Sequence, residues 1–252
     1  RDAVYAMMNR WLDRGVDGFR MDVINLISKD VALPDGVLPP EGPDDTGLAD
    51  GTAHYTCGPR IHEFLHEMHE RVFASRAAEL ITVGEMPGVT VEEARAFTDP
   101  ERAEVDMVFQ FEHVDLDSGP GGKWDVIPLE LPLLKANLAA WQEGLADVGW
   151  NSLYWDNHDQ PRAVSRFGDD DPVWRGRSAK TLATVLHLHR GTPYVYQGEE
   201  LGMTNAPFAG IDDVADIESI NHYREAIDAG ADPQEVLRGN RRLDLTAKEF
   251  DV

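Results

Sequence analysis

Cysteine is scarce in this sequence, and long apolar runs are missing. Cys57 is the single cysteine among 252 residues. This count excludes an intrachain disulfide framework and suits a reducing cytoplasm. We find no apolar run of about 18 residues and no signal peptide, and we therefore expect a cytoplasmic protein without a membrane partner.

Basic side chains are also few, which excludes another class of partner. Lysine and arginine total 23 residues against 46 aspartates and glutamates, and the formal net charge is −23. Such a surface repels phosphate backbones and anionic lipids, so we expect no nucleic-acid partner. The sequence has no glycine fingerprint after a predicted strand and no P-loop, which argues against nucleotide binding. We expect no cofactor and no metal ion.

Apolar segments with polar ends alternate with helical periodicity along the chain. The predicted strands are residues 15–24, 80–85, 107–112, 151–159 and 192–200. The predicted helices are residues 3–14, 60–78, 91–97, 133–148, 178–190 and 216–229. This alternation predicts parallel βα units, and hence an α/β barrel or an open α/β sheet. Residues 30–59, rich in proline, glycine and aspartate, are predicted to form a functional or lid-like excursion.

The first predicted strand, GVDGFRMDVI at residues 15–24, carries two charges among apolar residues. Arg20 and Asp22 are two residues apart, so on a strand they point to the same face. A cation and a carboxylate on one face of so apolar a strand form either a structural ion pair or part of a site.

Three carboxylates, those of Asp22, Glu85 and Asp159, stand at the ends of predicted strands. The carboxyl ends of parallel strands gather at one face, where α/β barrels carry their chemistry. Close like charges raise one pKa, which suits glycosidic cleavage by an ionised nucleophile and a protonated acid. Arg20 would hold Asp22 ionised, and Glu85 has the apolar sequence neighbours expected of the acid. His158 and Asp159 offer a donor and an acceptor for sugar hydroxyls.

Other residues near these strand ends have simpler interpretations. Phe111, Tyr154 and Trp155 are suited to packing on sugar faces, although core packing is the simpler interpretation of each one alone. Glu199 and Glu200 follow the last predicted strand, and we expect them to shape its rim without a chemical role.

Six longer motifs resemble those of one family. They are GFRMDVINLISK, TVGEMPGV, VFQFEHVDLDSG, GGKWDV, GWNSLYWDNHDQPRAVSRFG and GTPYVYQGEELGMTN. Together they resemble the α-amylase family, glycoside hydrolase family 13, and most of all its oligo-1,6-glucosidase and α-glucosidase branch. The likeness runs over residues 1–238.

The resemblance implies an α/β fold that forms the C-terminal part of a (β/α)8 TIM barrel. The five predicted strands would be about the fourth to the eighth of that barrel. Residues 1–230 would form the partial catalytic barrel, and residues 231–252 a divergent C-terminal tail. The family's first three βα units, and with them any structural calcium site of that part, are not among these residues.

The resemblance also implies roles, carried over position by position. Asp22 would be the nucleophile with Arg20 as its partner, and Glu85 would be the general acid/base. Asp159 would be the carboxylate that stabilises the transition state, with His158 beside it in substrate binding. A retaining enzyme of this kind forms a covalent glucosyl-enzyme and holds its two carboxyl groups about 5–5.5 Å apart.

The implied substrate is a short oligosaccharide cleaved at its non-reducing end by a monomer or weak homo-oligomer. Val23 stands where, in the family, valine accompanies α-1,6 preference and alanine or threonine accompanies α-1,4 preference. The alternatives within the family are an α-1,4-glucosidase, a trehalose-6-phosphate hydrolase and a glucosyl-transferring enzyme. Asp156 stands where the branch usually has asparagine, which adds a negative charge beside the site.

Two alternatives come from other classes. HEFLH at residues 62–66 matches the HExxH pattern of zinc proteases, with Glu85 as a third ligand, although a solvated helix face also explains it. The second alternative is a non-catalytic sugar-binding fragment of the same fold. The presence of all three carboxylates argues against a degenerate parent protein.

Overall fold

The computed structural model describes residues 1–38, 47–206 and 208–237. They fall into two units that are interleaved along the chain. The first unit combines the described residues of 1–112 with residues 137–152, and the second combines residues 113–136 with the described residues from 153 to 237. Residues 39–46 of the predicted excursion and residues 238–252 of the predicted tail lie outside the described residues.

The first unit alternates helices and strands, as the sequence predicts. Its elements are α1 (Asp2–Leu12), β1 (Gly18–Met21), α2 (Ile61–Met68), β2 (Ile81–Glu85), α3 (Val91–Thr98) and β3 (Met107–Phe109). α2 continues as a π-helical turn at His69–Phe73, so the single helix predicted for residues 60–78 is wrong in its extent. α3 begins with a capping box, in which the Thr90 hydroxyl and the Glu93 carboxylate each accept from the other residue's backbone N–H.

The sheet of the first unit is parallel, with the strand order β1-β2-β3. Its register pairs Met21 with Gly84 and Glu85 with Phe109. The helices bury their apolar faces in one core, whose largest fully buried members include Ile61, Leu65, Val72, Met86, Phe97 and Leu145. Parallel pairing of these strands confirms the predicted βα units here, and it places the ends of β1 and β2 side by side.

β1 is shorter than the strand predicted for residues 15–24. It ends at Met21, and Val23 takes the left-handed conformation with φ of 35°. A left-handed residue breaks the pleat of a strand. The expectation that Arg20 and Asp22 share a strand face is therefore wrong, because Asp22 lies in the turn that follows β1.

The second unit opens with a hairpin that the periodicity did not predict. Its strands are β4 (Ser118–Gly119) and β5 (Gly122–Val126), paired antiparallel. Along the chain, α4 (Leu131–Gly144) and β6 (Ser152–Leu153) straddle the boundary between the units. The later elements are α5 (Ala163–Phe167), α6 (Arg175–Leu188), β7 (Thr192–Pro193) and α7 (Ile217–Asp228).

β6 and β7 keep only two residues each of the longer strands predicted at 151–159 and 192–200. The Tyr194 N–H donates to the Leu153 carbonyl at 2.7 Å, and the polar residues beyond these strands form turns. Among the described ranges, 3-10 turns occur at Ile24–Leu26, Thr52–His54, Glu112–Val114, Glu199–Leu201 and Ile211–Asp213. No helix in the described part of the chain is long and apolar enough to cross a membrane.

We predict that the contact of β1 with β2 depends on Gly18. A Cβ atom at this position would lie 1.9 Å from the Ile81 carbonyl oxygen. Gly18→Ala should therefore lower the free energy of unfolding by about 1–3 kcal/mol or more, because β1 must move away from β2. The measurement is thermal unfolding, followed by circular dichroism, of the complete gene product that carries this sequence.

Gly176→Ala is the matched control for this prediction. Gly176 lies in α6, and a Cβ there would meet no atom within 4 Å. This variant should keep or raise the Tm, because alanine is the better helix former. An unchanged Tm for Gly18→Ala would contradict the predicted contact.

Candidate active site

The Arg20 guanidinium joins two carboxylates in the first unit. Its Nη1 lies 2.5 Å from Asp22 Oδ1, and its Nη2 lies 2.5 Å from Glu85 Oε1. Charge-assisted hydrogen bonds of this kind are shorter and stronger than neutral ones. Three of the predicted site residues are thus brought together by direct contacts.

The parallel register explains why these residues meet. Met21 pairs with Gly84, so the next residues along each strand, Asp22 and Glu85, emerge side by side. Arg20 is the penultimate residue of β1 and lies beside Val83 in the same register. The site therefore forms at the carboxyl ends of two neighbouring strands, which is where parallel α/β folds carry reactive side chains.

The two carboxylates have different environments. The Asp22 side chain is 76% exposed, whereas that of Glu85 is 7% exposed. Burial raises the pKa of Glu85, and a hydrogen bond with Asp22 and its negative charge act in the same direction. The Val23 N–H and Arg20 lower that pKa without cancelling the rise. Glu85 is thus the carboxyl that retains a proton more readily than an ordinary glutamate.

Val23 contributes its backbone to this arrangement. Its N–H donates to Glu85 Oε2 at 3.1 Å, and its φ is 35°. A left-handed conformation is strained for a β-branched residue and costs about 1–3 kcal/mol. The strained turn aims the amide at the buried carboxylate and leaves the Val23 side chain 38% exposed at the strand end.

Asn25 stabilises the same turn through a side-chain hydrogen bond, a role not predicted from the sequence. Asn25 is fully buried, and its side-chain amide donates to the Pro87 carbonyl at 2.9 Å. This bond ties the segment after β1 to the segment after β2. A polar residue inside the apolar motif VINLI was the available signal, since buried amides need partners.

His158 and Asp159 lie in the second unit, in the turn that follows β6. His158 Nε2 is 3.2 Å from Asp159 Oδ2, and both side chains are more than half exposed, at 64% and 57%. The Asp159 N–H donates to Asn157 Oδ1 at 2.8 Å. His158 and Asp159 are in contact, as predicted. That they share one site with Asp22 and Glu85 stays a prediction.

The three aromatic residues suited to packing on sugar faces differ in how deeply they are buried. Tyr154 and Trp155 are each 3% exposed, so they are core residues. The His113 ring packs edge-on against Tyr154, and the Trp155 indole N–H donates to the Leu182 carbonyl. Phe111 is half-buried. Tyr154 and Trp155 therefore follow the core interpretation.

The histidines of HEFLH have other partners. His62 Nδ1 bonds to Glu104 Oε2 at 2.8 Å, and His66 Nδ1 bonds to the Arg102 carbonyl at 2.8 Å. Glu85, the suggested third ligand, is bound to Arg20 instead. No group of three or more metal-binding side chains is found among the described residues. These contacts give the zinc-protease alternative no support.

A second pair of acids, Asp156 and Glu199, lies in the second unit, outside the set of residues for which the sequence predicts a chemical role. Asp156 is 2% exposed, and its side chain hydrogen-bonds to that of Glu199. Burial raises the pKa of Glu199 to about 7, and the negative charge of Asp156 contributes to this shift. The signal available in the sequence was the recurrence of acids in WDNHD and QGEE, at the ends of the last two predicted strands.

Comparison with known proteins gives one family. The model of the alpha-amylase catalytic domain matches residues 1–238. The oligo-1,6-glucosidase of Bacillus cereus is 55% identical over 239 residues, which are 94% of this chain and 41% of that protein. The trehalose-6-phosphate hydrolase of Bacillus subtilis (strain 168) is 48% identical over 237 residues, 94% of this chain and 40% of that protein. The chain thus spans about two fifths of the length of the curated relatives it matches.

Solved structures agree with these matches. The crystal structure of Bacillus licheniformis trehalose-6-phosphate hydrolase superposes with a TM-score of 0.85 at 47% identity, covering 95% of this chain and 41% of that one. Isomaltulose synthase from Erwinia rhapontici NX5 gives a TM-score of 0.83 at 35% identity, covering 96% of this chain and 42% of that one. The predicted fold class, part of an α/β TIM barrel, is confirmed.

Proposed function

This chain belongs to the alpha-amylase family, and we propose that the protein carrying it is a retaining glycoside hydrolase. Its substrates would be short oligosaccharides, cleaved at α-glucosidic bonds from the non-reducing end, with α-1,6 bonds preferred. The observation that carries this proposal is the Arg20 guanidinium bound to the carboxylates of both Asp22 and Glu85. The names of the matched relatives support the substrate class.

In the first step, an oxygen of Asp22 attacks the anomeric carbon while the bond to the leaving oxygen breaks. Glu85 gives its proton to that oxygen, and Asp22 becomes covalently bound to the sugar. The exposure of Asp22 suits attack on an entering sugar, and its bond to Arg20 favours the ionised carboxylate. The raised pKa of Glu85 supports its role as the proton donor.

In the second step, the ionised Glu85 takes a proton from water, and the water oxygen attacks the anomeric carbon. The bond to Asp22 breaks, and two inversions give overall retention. Inverting enzymes need a gap of about 6.5–9.5 Å between their carboxyls to admit water. The Arg20 guanidinium contacts both Asp22 and Glu85, and this shared contact supports the shorter carboxyl spacing of the retaining mechanism.

Asp159 and His158 complete the proposal as substrate-binding residues. Their adjacent donor and acceptor suit the vicinal hydroxyls of a sugar ring. Asp159 would stabilise the positive charge that develops on the sugar in the transition state. None of these steps requires a cofactor or a metal ion, and we propose a cytoplasmic monomer or weak homo-oligomer.

A trehalose-6-phosphate hydrolase is the second candidate. Proteins of that name match at 48% identity in sequence and at a TM-score of 0.85 in structure. An α-1,4-glucosidase or a glucosyl-transferring enzyme would use the same two carboxylates. These candidates differ in the group that accepts or carries the glucose, and the two catalytic steps are common to all of them.

We predict that Asp22→Asn removes turnover by the complete gene product, because an amide cannot act as the nucleophile. The expected loss in kcat is about a thousandfold or more. Isomaltose, maltose, p-nitrophenyl α-glucoside and trehalose 6-phosphate are assayed side by side with the unaltered protein, which should prefer isomaltose. Asp17→Asn, at an exposed aspartate just before β1, is the control and should retain activity.

Two outcomes would contradict this proposal. More than a few per cent of activity in Asp22→Asn would assign the nucleophile elsewhere. Failure of the unaltered protein to cleave any of the four glucosides would reject the glycosidase itself.

We also predict that Val23 shapes linkage preference. The Val23 side chain is exposed at the strand end, and its N–H bonds to Glu85. In the proposed site it would narrow the space for the leaving sugar. Val23→Ala should shift the ratio of kcat/KM for isomaltose to that for maltose toward maltose, by about tenfold for two methyl groups. Val31→Ala, a change at a side chain that is 88% exposed, is the control. An unchanged ratio in Val23→Ala would discard this role.

A further inference from the structure

The hydrogen bond between Asp156 and Glu199 links two segments of the second unit. Asp156 Oδ2 also accepts the Ala163 N–H at 2.8 Å, and Glu199 Oε2 also accepts the Tyr196 N–H at 3.1 Å. The acid pair therefore joins the loop at residues 156–163 to the turn after β7. Each carboxyl is anchored to the backbone of its own segment, and the bond between the carboxyls is the link.

The loop held in this way carries the proposed sugar-binding residues. His158 and Asp159 follow Asp156 by two and three positions, and both are exposed in the turn. The loop is fixed at its start by Asp156 and at its end by Arg162, whose backbone N–H donates to Asn205 Oδ1 at 2.8 Å. The position of His158 and Asp159 thus depends on the two ends of one short segment.

The groups around Asp156 and Glu199 favour a state in which the two carboxyls together hold one proton. Arg162 is 5% exposed, donates to the Gln197 carbonyl at 2.6 Å and lies near both acids. Its positive charge lowers the pKa of each acid, yet burial dominates and both pKa values are raised. Beyond these groups, Glu200 and His187 line a cavity together with Glu199. A hydrogen bond between two carboxyls requires that one of them is protonated.

We propose that Asp156 and Glu199 share one proton, and that this protonated pair positions the loop bearing His158 and Asp159 for sugar binding. The proposal rests on the proposed function. When the shared proton is lost, the buried Asp156 and the half-buried Glu199 are both ionised and face each other. The link then becomes repulsive, and the loop loses its fixed position. Asp156 and Glu199 are positioning residues, since they act through the loop.

The direction of the pH effect follows from the raised pKa of Glu199. Its value is about 7 in the folded protein against an ordinary value of 4.5. The folded protein therefore keeps a proton that the unfolded chain releases. The stability contributed by the pair is fully present below about pH 4.5 and is lost progressively as the pH rises to about 7. Loop positioning, and with it sugar affinity, depends on the folded protein alone and should weaken as the pH passes through the Glu199 pKa of about 7.

Asp156→Asn tests the shared proton directly. An asparagine amide can donate to Glu199 at any pH, while its oxygen still accepts the Ala163 N–H. In the unaltered complete protein, the KM for isomaltose should rise about fivefold from about pH 6 to pH 8.5, the effect of one lost hydrogen bond. In Asp156→Asn the rise should fall below about twofold. Glu199→Gln places an amide on the other partner and should flatten the KM profile in the same way.

Two controls distinguish loss of the shared proton from the titration of other groups. Loss of the Glu85 proton at alkaline pH should lower kcat, because Glu85 is the proposed proton donor. This fall should persist in both variants, since Glu85 is unchanged. Asp170→Asn removes one exposed negative charge of the second unit and should keep the unaltered KM profile. Asp156→Ala deletes the link and should give a high KM at every pH.

Thermal unfolding gives a readout that does not need substrate. Relative to Asp156→Asn, the unaltered protein should lose Tm between about pH 4.5 and pH 7, the range given by the raised pKa of Glu199. Parallel Tm profiles and an equal KM rise in both proteins would overturn the shared proton. If the Tm profiles differ while KM stays flat in the unaltered protein, the positioning role is wrong. If no glucoside is cleaved at all, the proposed function fails, and the Tm comparison alone still decides whether the pair shares a proton.

Discussion

The bond of one guanidinium to two carboxylates is the constraint on which the site in the first unit depends. Arg20 can reach Asp22 and Glu85 together only because β1 and β2 run parallel in the observed register. Asp22 and Glu85 carry the same chemical group, but their environments differ. The buried Glu85 is suited to carry a proton, and the exposed Asp22 is suited to react as an ionised carboxylate. The glycosidase chemistry that we propose follows from this difference in environment.

The molecule uses buried carboxyls twice, with different neighbours. The negative charge of Glu85 is compensated by the Arg20 guanidinium and by the backbone N–H of Val23, a residue in a strained conformation. The bond between Asp156 and Glu199 depends on a proton instead. The nearby Arg162 guanidinium donates one of its hydrogen bonds to the Gln197 carbonyl. The first arrangement holds reactive groups, whereas the second holds the backbone of a loop. Both show that a buried acid needs a partner whose nature decides its response to pH.

Much of this could be predicted from local sequence signals, and the rest depends on contacts between distant segments. The strand ending at Glu85, the capping box at Thr90 and the parallel order of the first strands follow from periodicity and spacing. The left-handed Val23 could not be predicted, because β-branched residues avoid positive φ unless the surrounding structure imposes it. The link from Asp156 to Glu199 joins residues more than 40 positions apart, which no local pattern reveals.

The identity of the nucleophile is the central claim, and covalent trapping tests it most directly. A fluorinated α-glucosyl fluoride slows hydrolysis of the glucosyl-enzyme, so the sugar stays attached during proteolysis and peptide mass spectrometry. We predict that the added mass lies on the peptide containing Asp22 and on that residue. A label on Glu85 or Asp159, or turnover of the reagent without any labelled peptide, would contradict the proposed roles.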